Sequence, residues 1–406
     1  MNIYCTLFDS NYLTRGLAMY QSIKDTGEAF RLFIFAFDDL THDILIKMAL
    51  PNVEVVSLQN FESDMLLSLK KERSRAEYCW TCTPFSILYV MERYGVSEAT
   101  YLDADLFFFN KPELLLQEFR DSGCDVMISK HRYSPQYVKL QETSGIYCVQ
   151  FMTFKNNENG LAVLKWWRDR CIECCTSKPQ DGKFGDQKYL DDWPERFCGI
   201  HVMKNLGGGV APWNVLQYVV SRGPAIDNQK AIFYHYHGFK VLEDGTYKLN
   251  SYYLLPQNVI ELFYLPYVRA LEKALKLVRD TADASFTHKK TLCRDKDINY
   301  GNIMKAILSY GLDTLKKSKY LLVYGAGTIA RDVVYVMSAA EIEQITIVVS
   351  NPKKDSYFMG NKIRGINEFK KYANEAVVIV AVREELQQEL VANARKMGFR
   401  NIISLI

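Results

Sequence analysis

Tyr101-Leu102-Asp103-Ala104-Asp105-Leu106-Phe107-Phe108-Phe109 decides how this chain is read. An apolar strand runs into two carboxylates two residues apart and then resumes as an apolar run. Both acids therefore stand at the carboxyl edge of a sheet, where open α/β proteins bind their ligands. Residues two apart in an extended segment project to the same side. Two like charges held that close repel, and a hard divalent cation with oxygen ligands relieves the repulsion. An isolated D-x-D is common and weak; one that ends a buried strand points to a metal site.

Outward from this segment, the first 130 residues alternate short apolar runs with helical patterns, the mark of a largely parallel sheet with helices on its faces. Strands are expected at Ile3–Phe8, Phe30–Phe37, Val53–Leu58 and Thr100–Leu102, with later ones at Val126–Ser129 and Tyr147–Phe154. Thr83-Pro84 reads as a helix start, a cap followed by proline at the first helical position. Further on, Gly207-Gly208-Gly209 leads into Val210-Ala211-Pro212-Trp213-Asn214, a loop rather than an element. A strand then carries Phe233-Tyr234-His235-Tyr236-His237-Gly238. Two of the chain's six histidines stand there, beside Gly238 and Lys240, and either could join the two acids on a metal.

The chain has 406 residues, enough for two to four domains, with 48% hydrophobic and 24% charged residues, so a disordered polymer is excluded. A net charge of only +3 argues against a nucleic-acid partner for the whole chain. That balance is uneven: residues 269–319 hold 12 Lys or Arg against 6 Asp or Glu. Overlapping its start, the part from Val259 to Arg279 carries Leu262, Phe263, Leu265, Tyr267, Leu271, Leu275 and Val278 at helical spacing among Lys273, Lys276 and Arg279. Such a helix either packs one domain on another or lies on an anionic membrane. No apolar stretch is long enough to span a bilayer. The start Met1-Asn2-Ile3-Tyr4-Cys5 reads as a strand rather than a leader, and ten cysteines are then most simply reduced thiols, which places the protein in the cytoplasm, with peripheral contact to the inner membrane through helix 259–279 as an option. Cys79 with Cys82 and Cys171 with Cys174 have C-x-x-C spacing, but lie in helical segments without the turns of a zinc knuckle.

The last 88 residues form a separate unit. Tyr320–Tyr324 is a strand, Gly325-Ala326-Gly327 a turn into a helix, and Ile345–Val349 and Val377–Val382 are buried strands. A G-x-G followed by Ala330 is a weak dinucleotide signal. The acid expected after the second strand for a ribose is absent, since Ser350-Asn351-Pro352-Lys353-Lys354 stands there.

Taken in order, Asp103-Ala104-Asp105, Asp186-Gln187 and His235-x-x-Gly238 resemble the motifs of the GT-A nucleotide-diphospho-sugar glycosyltransferases, most nearly the bacterial retaining family-8 type, over about residues 1–245. One departure stands out: that family's His-x-x-Gly-x-x-Lys would put lysine at position 241, where Val241 stands, and Lys240 falls one residue early. The resemblance implies an α/β fold of GT-A type, a Rossmann-like mixed sheet flanked by helices over residues 1–248, then a helical connector at 249–318 and a small Rossmann-like domain at 319–406. It implies Mn2+ or Mg2+ held by Asp103, Asp105 and His235 or His237. A nucleotide-diphospho-sugar donor, UDP-linked in the first instance, would meet Thr6, Phe8, Asp9 and Tyr12 at the end of the first strand, Asp103 and Ala104, Arg75, and Gly238 with Lys240. Asp186 and Gln187 would line the reaction centre, and Trp213 and Asn214 are candidate sugar contacts. The activity implied is sugar transfer, with retention, to a saccharide or lipid-linked saccharide in surface polysaccharide or lipopolysaccharide synthesis. Two other classes stay open: a nicotinamide-dependent sugar oxidoreductase acting through the last domain, and a non-catalytic sugar-nucleotide-binding protein, either of them as an oligomer.

Overall fold

A computed structural model describes residues 1–242, 247–250, 253–287, 290–291, 303, 306–307, 309–339, 342, 344–359 and 361–405. The chain divides into two compact units, one of Met1–Phe239 with Gln257–Lys290, the other of Lys240–Pro256 with Thr291–Ile406. Much of the expected 249–318 connector, including residues 292–302, lies outside the described residues.

The first unit is built on a seven-stranded main sheet of β1 (Asn2–Phe8), β2 (Phe30–Ala36), β3 (Val53–Ser57), β4 (Glu98–Leu102), β6 (Val126–Lys130), β7 (Tyr147–Lys155) and β8 (Ile200–Val202), with β5 (Leu106–Phe108) standing outside it. The main sheet runs in the order β3-β2-β1-β4-β7-β6-β8. β1 pairs parallel with both β2 and β4, while β7 runs antiparallel to β4 and β6. This is the α/β class expected from the alternation of apolar runs, a mixed sheet with a core on each face. Alternation sorts its side chains into two cores: Tyr4 and Phe8 of β1 face one, with Leu17, Tyr20 and Phe233, and Cys5 and Leu7 face the other, with Phe33, Phe35 and Trp167. β5 leaves the sheet and pairs antiparallel with the strand Phe233–His235, so Leu106 lies opposite His235. That pairing brings the histidine back to the two acids.

Two expectations change. The helix expected to begin at Thr83-Pro84 is the second half of a single helix, Arg75–Tyr94. Ser74 and Glu77 form a capping box that fixes the true start, and a reciprocal box outweighs a lone cap-proline pair as an initiation signal. Pro84 sits inside the helix, tolerated because the packing of Tyr78, Cys82, Ile87 and Leu88 holds both halves in place. The second change concerns the amphipathic segment. The helix Leu265–Thr281 belongs to the first unit and packs on α1 (Leu13–Asp25), with Tyr267, Leu271, Ala274, Leu275 and Val278 buried. Tyr267 stacks on Tyr236 at 3.6 Å between ring centroids. Most of its apolar face is taken up by the first unit's own core, with Leu265 and Leu277 left exposed, so little of the stripe that a membrane-contact reading for 259–279 relies on remains. No helix among the described residues is long and apolar enough to cross a membrane.

The second unit carries a fully parallel five-stranded sheet in the order Arg364–Gly365, Ile345–Val349, Tyr320–Tyr324, Ala376–Val380, Asn401–Ser404. The first two strands in sequence lie adjacent and the chain crosses to the other side after the third, the doubly wound order that puts Gly325 at the switch point. There the Tyr324 hydroxyl shares a 2.6 Å hydrogen bond with the Ser350 hydroxyl and accepts one from Asn393.

Leu271→Ala should destabilise the protein by about 2–5 kcal/mol in urea unfolding, as a large-to-small change in a packed core does. An effect within 0.5 kcal/mol, typical of exposed surface, would return the helix to solvent.

Candidate functional site

Each acid of the decisive segment is placed by a different force. Asp103 follows β4, and its backbone N–H donates to the Gln150 carbonyl of β7 at 3.0 Å, which anchors the strand's end. Asp105 opens β5, and its carbonyl accepts the N–H of Tyr236 at 3.0 Å. His235 is the last residue of the partner strand, held by its N–H on the Val210 carbonyl at 2.8 Å. The three side chains converge: one ligand atom from each of Asp103, Asp105 and His235 lies within 4.8 Å of the others. The imidazole Nε2 is 3.2 Å from Asp105 Oδ1 and 3.9 Å from Asp103 Oδ2.

Burial pushes Asp103 above the ordinary carboxylate range, against the pull of His235. For Asp105 burial acts upward too, but the charge and hydrogen bond of His235 outweigh it and hold this carboxyl low. His235 responds in kind: burial would lower it, and Asp105 raises it well above an ordinary imidazole. The three groups thus form one electrostatic unit, with a proton on His235 standing where a cation would bind. Two carboxylates and one imidazole suit Mn2+ or Mg2+, with the nitrogen ligand favouring the transition metal.

Gln150, which the sequence did not single out, sets the imidazole's orientation. Its Oε1 lies 2.8 Å from His235 Nδ1, and its amide nitrogen donates to the Ser129 hydroxyl at 3.3 Å. With that nitrogen committed to Ser129, Oε1 faces the ring as an acceptor, so Nδ1 keeps its hydrogen and Nε2 is the atom turned to the acids. His237 lies outside the cluster and is exposed.

Asp186 is buried and 5% exposed. Its backbone carbonyl accepts the indole N–H of Trp167 at 2.8 Å. Burial first, and the charge of Asp103 second, push its carboxyl up to about 8, with a hydrogen bond from Thr83 working the other way. At neutral pH it is a carboxylic acid beside the cluster rather than a second free charge. Gln187 is partly exposed and donates to the Ser144 carbonyl at 2.6 Å.

At the end of β1, Asp9 accepts from the N–H of Asn11 at 2.8 Å and from its side-chain amide at 3.0 Å, and pairs with Arg75. Arg75 also pairs with Asp38 at 3.1 Å. Asp38, another residue the sequence reading missed, caps α2 (Asp39–Met48) and accepts from both N–H and hydroxyl of Ser10. Thr6 and Phe8 are buried in the sheet and shape this end from beneath: a Cβ on Gly16 would lie 2.3 Å from the Phe8 ring. Tyr12 is 41% exposed, with the Arg15 guanidinium 4.1 Å over its ring. Ala104 is buried and Gly238 has φ +76, the left-handed turn that closes the segment after His235.

Two expected contacts take other roles. Trp213 is 3% exposed, donates its indole N–H to the His131 carbonyl at 2.9 Å, and meets His235 edge to face at 5.1 Å. Asn214 is fully buried, its amide donating to the carbonyls of His131 and Gly209 at 2.8 Å and its oxygen accepting from Ala211 at 2.9 Å. Trp213 is thus a wall beside His235, and Asn214 ties its own loop to His131, rather than either being a sugar contact. A buried amide with these three bonds made has nothing to offer a ligand. The side chain of Lys240 is exposed, and Val241, at the position where lysine is expected, is buried.

No family model matches the chain. It is similar to two proteins of Bacillus subtilis (strain 168), both described as uncharacterized. It is 32% identical to YfnF over 256 residues, 60% of this chain and 84% of that protein. It is 29% identical to YfnD over 277 residues, 66% of this chain and 88% of that one. Among solved structures it is similar to the glycosyltransferase GlyE of Streptococcus pneumoniae TIGR4, at a TM-score of 0.42 and 11% identity over 98% of this chain and 99% of that one.

Two outcomes are expected. Gln150→Leu should weaken Mn2+ binding, read by electron paramagnetic resonance, by about 10- to 100-fold; unchanged affinity would remove Gln150 from the site. An aspartate ordinarily titrates at 3.8 and Asp186 near 8. Between those values the folded state binds the extra proton, so its stability falls as pH rises. Asp186→Asn lacks that loss, and its Tm advantage over the parent should grow from pH 4 to pH 8; a constant difference would contradict the assignment.

Proposed function

We propose that this chain, which belongs to the same family as the Bacillus subtilis protein YfnF, is a metal-dependent glycosyltransferase that moves a sugar from a nucleoside-diphosphate donor, UDP-linked in the first instance, to a saccharide acceptor. The observation that carries this reading is the convergence of Asp103, Asp105 and His235 at the carboxyl edge of the mixed sheet, beside a buried acid, Asp186.

Breaking the bond between an anomeric carbon and a phosphate oxygen sends the electron pair to the diphosphate. A divalent ion bound to the two carboxylates and the imidazole would supply the positive charge that stabilises that leaving group. The chain's own residues do the rest. Gln150 presents His235 Nε2 to the acids, and Trp213 packs edge to face on the ring. Asp9, Arg75 and Asp38 form a polar rim at the end of β1 and β2 for the nucleoside, where the exposed part of Tyr12 offers a stacking surface. Asp186 and Gln187 would stand toward the reacting carbon, whose positive charge a nearby carboxyl or amide oxygen offsets as it develops. Attack by an acceptor hydroxyl, with its proton lost to solvent or the leaving group, completes the transfer. Retention of configuration and an acceptor from surface-polysaccharide or lipopolysaccharide synthesis are supported by the ordered motifs of the sequence.

Incubation with a panel of nucleotide sugars should release free nucleoside diphosphate in the presence of Mn2+ and lose that release with chelator. Asp105→Ala should lower it by about 100-fold or more, as loss of a principal electrostatic contact does. Release unchanged in that variant, or none from any donor with Mn2+ present, would overturn the reading.

A further inference from the structure

The donor's diphosphate needs a cation, and the lysine that the sequence motif leads one to expect is not there. Lys240 is exposed and Val241 is buried. The basic side chain that does reach the site comes from the other end of the unit. Arg15 lies in the first turn of α1, immediately after Tyr12, and its guanidinium is 4.1 Å over the Tyr12 ring. Nη2 donates to the carbonyl of Phe239 at 2.8 Å, the residue after Gly238. This one side chain therefore bridges the end of β1, where the nucleoside rim stands, and the turn that follows His235. It lies close enough to Asp105 for each to stabilise the other's charge.

Among the described residues no carboxylate forms an ion pair with Arg15, and the side chain is mostly removed from solvent. Burial works against the charge of this guanidinium, and the neighbouring Asp105 and Tyr12 offset that cost without an ion pair that would occupy its fork. It is also planar, with forked donors that match phosphate oxygens, and one nitrogen is enough to hold the Phe239 carbonyl. We infer that Arg15 is the diphosphate-binding cation of this site, taking the place of the displaced lysine and clamping the donor between Tyr12 and the Gly238–Phe239 turn. The inference rests on the nucleotide-sugar reading above. It also predicts a reciprocal effect: a fixed positive charge near Asp105 disfavours a metal ion bound alone and favours one that arrives with phosphate.

Calorimetric titrations of Arg15→Gln and Arg15→Lys against the parent protein test this, with four probes: Mn2+ alone, inorganic pyrophosphate with Mn2+, UDP with Mn2+, and uridine. Arg15→Gln should weaken pyrophosphate and UDP by about 10- to 100-fold, the worth of one or two charge-assisted bonds. It should leave uridine unchanged and bind Mn2+ alone at least as tightly as the parent. Arg15→Lys, which keeps the charge, should recover part of the loss. Parent-like pyrophosphate and UDP binding in Arg15→Gln would sink the inference and leave the donor reading standing. So would an equal loss across Mn2+ alone and uridine, which marks Arg15 as merely a strut. Failure of the parent protein to bind either phosphate probe with Mn2+ would sink the donor reading, and the inference with it.

Discussion

Two carboxylates held at the edge of a buried sheet, close enough to repel, are the constraint on which the rest of this structure depends. Asp103 and Asp105 cannot both be ionised there without compensation. The fold supplies it through a third group, bringing His235 back on an antiparallel strand so that its Nε2 lies 3.2 Å from Asp105. Much of the surrounding architecture can be read as holding that arrangement. The Gln150 carbonyl pins Asp103 while the Gln150 side chain orients His235. Trp213 packs on the ring, and Asn214 fixes the loop that carries Trp213 to His131. A site so dependent on one cation suits the divalent ion proposed for it.

The sheet was legible because its strands are short apolar runs bounded by polar turns, and β1, β2, β4 and β7 fall within two residues of their expected ends. The convergence of Asp103, Asp105 and His235 was legible for the same reason, since D-x-D and H-x-H both sit at strand ends. Choosing between His235 and His237 was beyond reach. Residues two apart share a face in an ideal strand, but the chain turns at Gly238 and only His235 remains in the ladder. Position in the sequence also misplaced Trp213 and Asn214. A tryptophan and an asparagine in a glycine-rich loop resemble a sugar platform, and only tertiary packing shows that their polar atoms are turned inward onto His131 and Gly209. Gln150 and Arg15 were invisible because neither belongs to a motif: one acts from the middle of an apolar strand, the other from a helix that otherwise reads as core.

The helix Leu265–Thr281 shows how a pattern can be correct while its destination is open. Its amphipathicity is real, and the periodicity that suits a membrane surface suits equally the groove it fills beside α1. The parallel sheet of the second unit was likewise expected from its buried strands and glycine turn. Its switch-point groups, Tyr324, Ser350 and Asn393, satisfy one another, which gives that edge a structural account in the protein's own side chains.

The central claim is that Asp103, Asp105 and His235 together hold a divalent ion. Anomalous diffraction from a crystal grown with Mn2+ tests it most directly. The account predicts a strong manganese peak between the two aspartate carboxylates and His235 Nε2, with Nδ1 of the same ring still on Gln150. A peak elsewhere in the first unit, or none at these three side chains under saturating Mn2+, would contradict it.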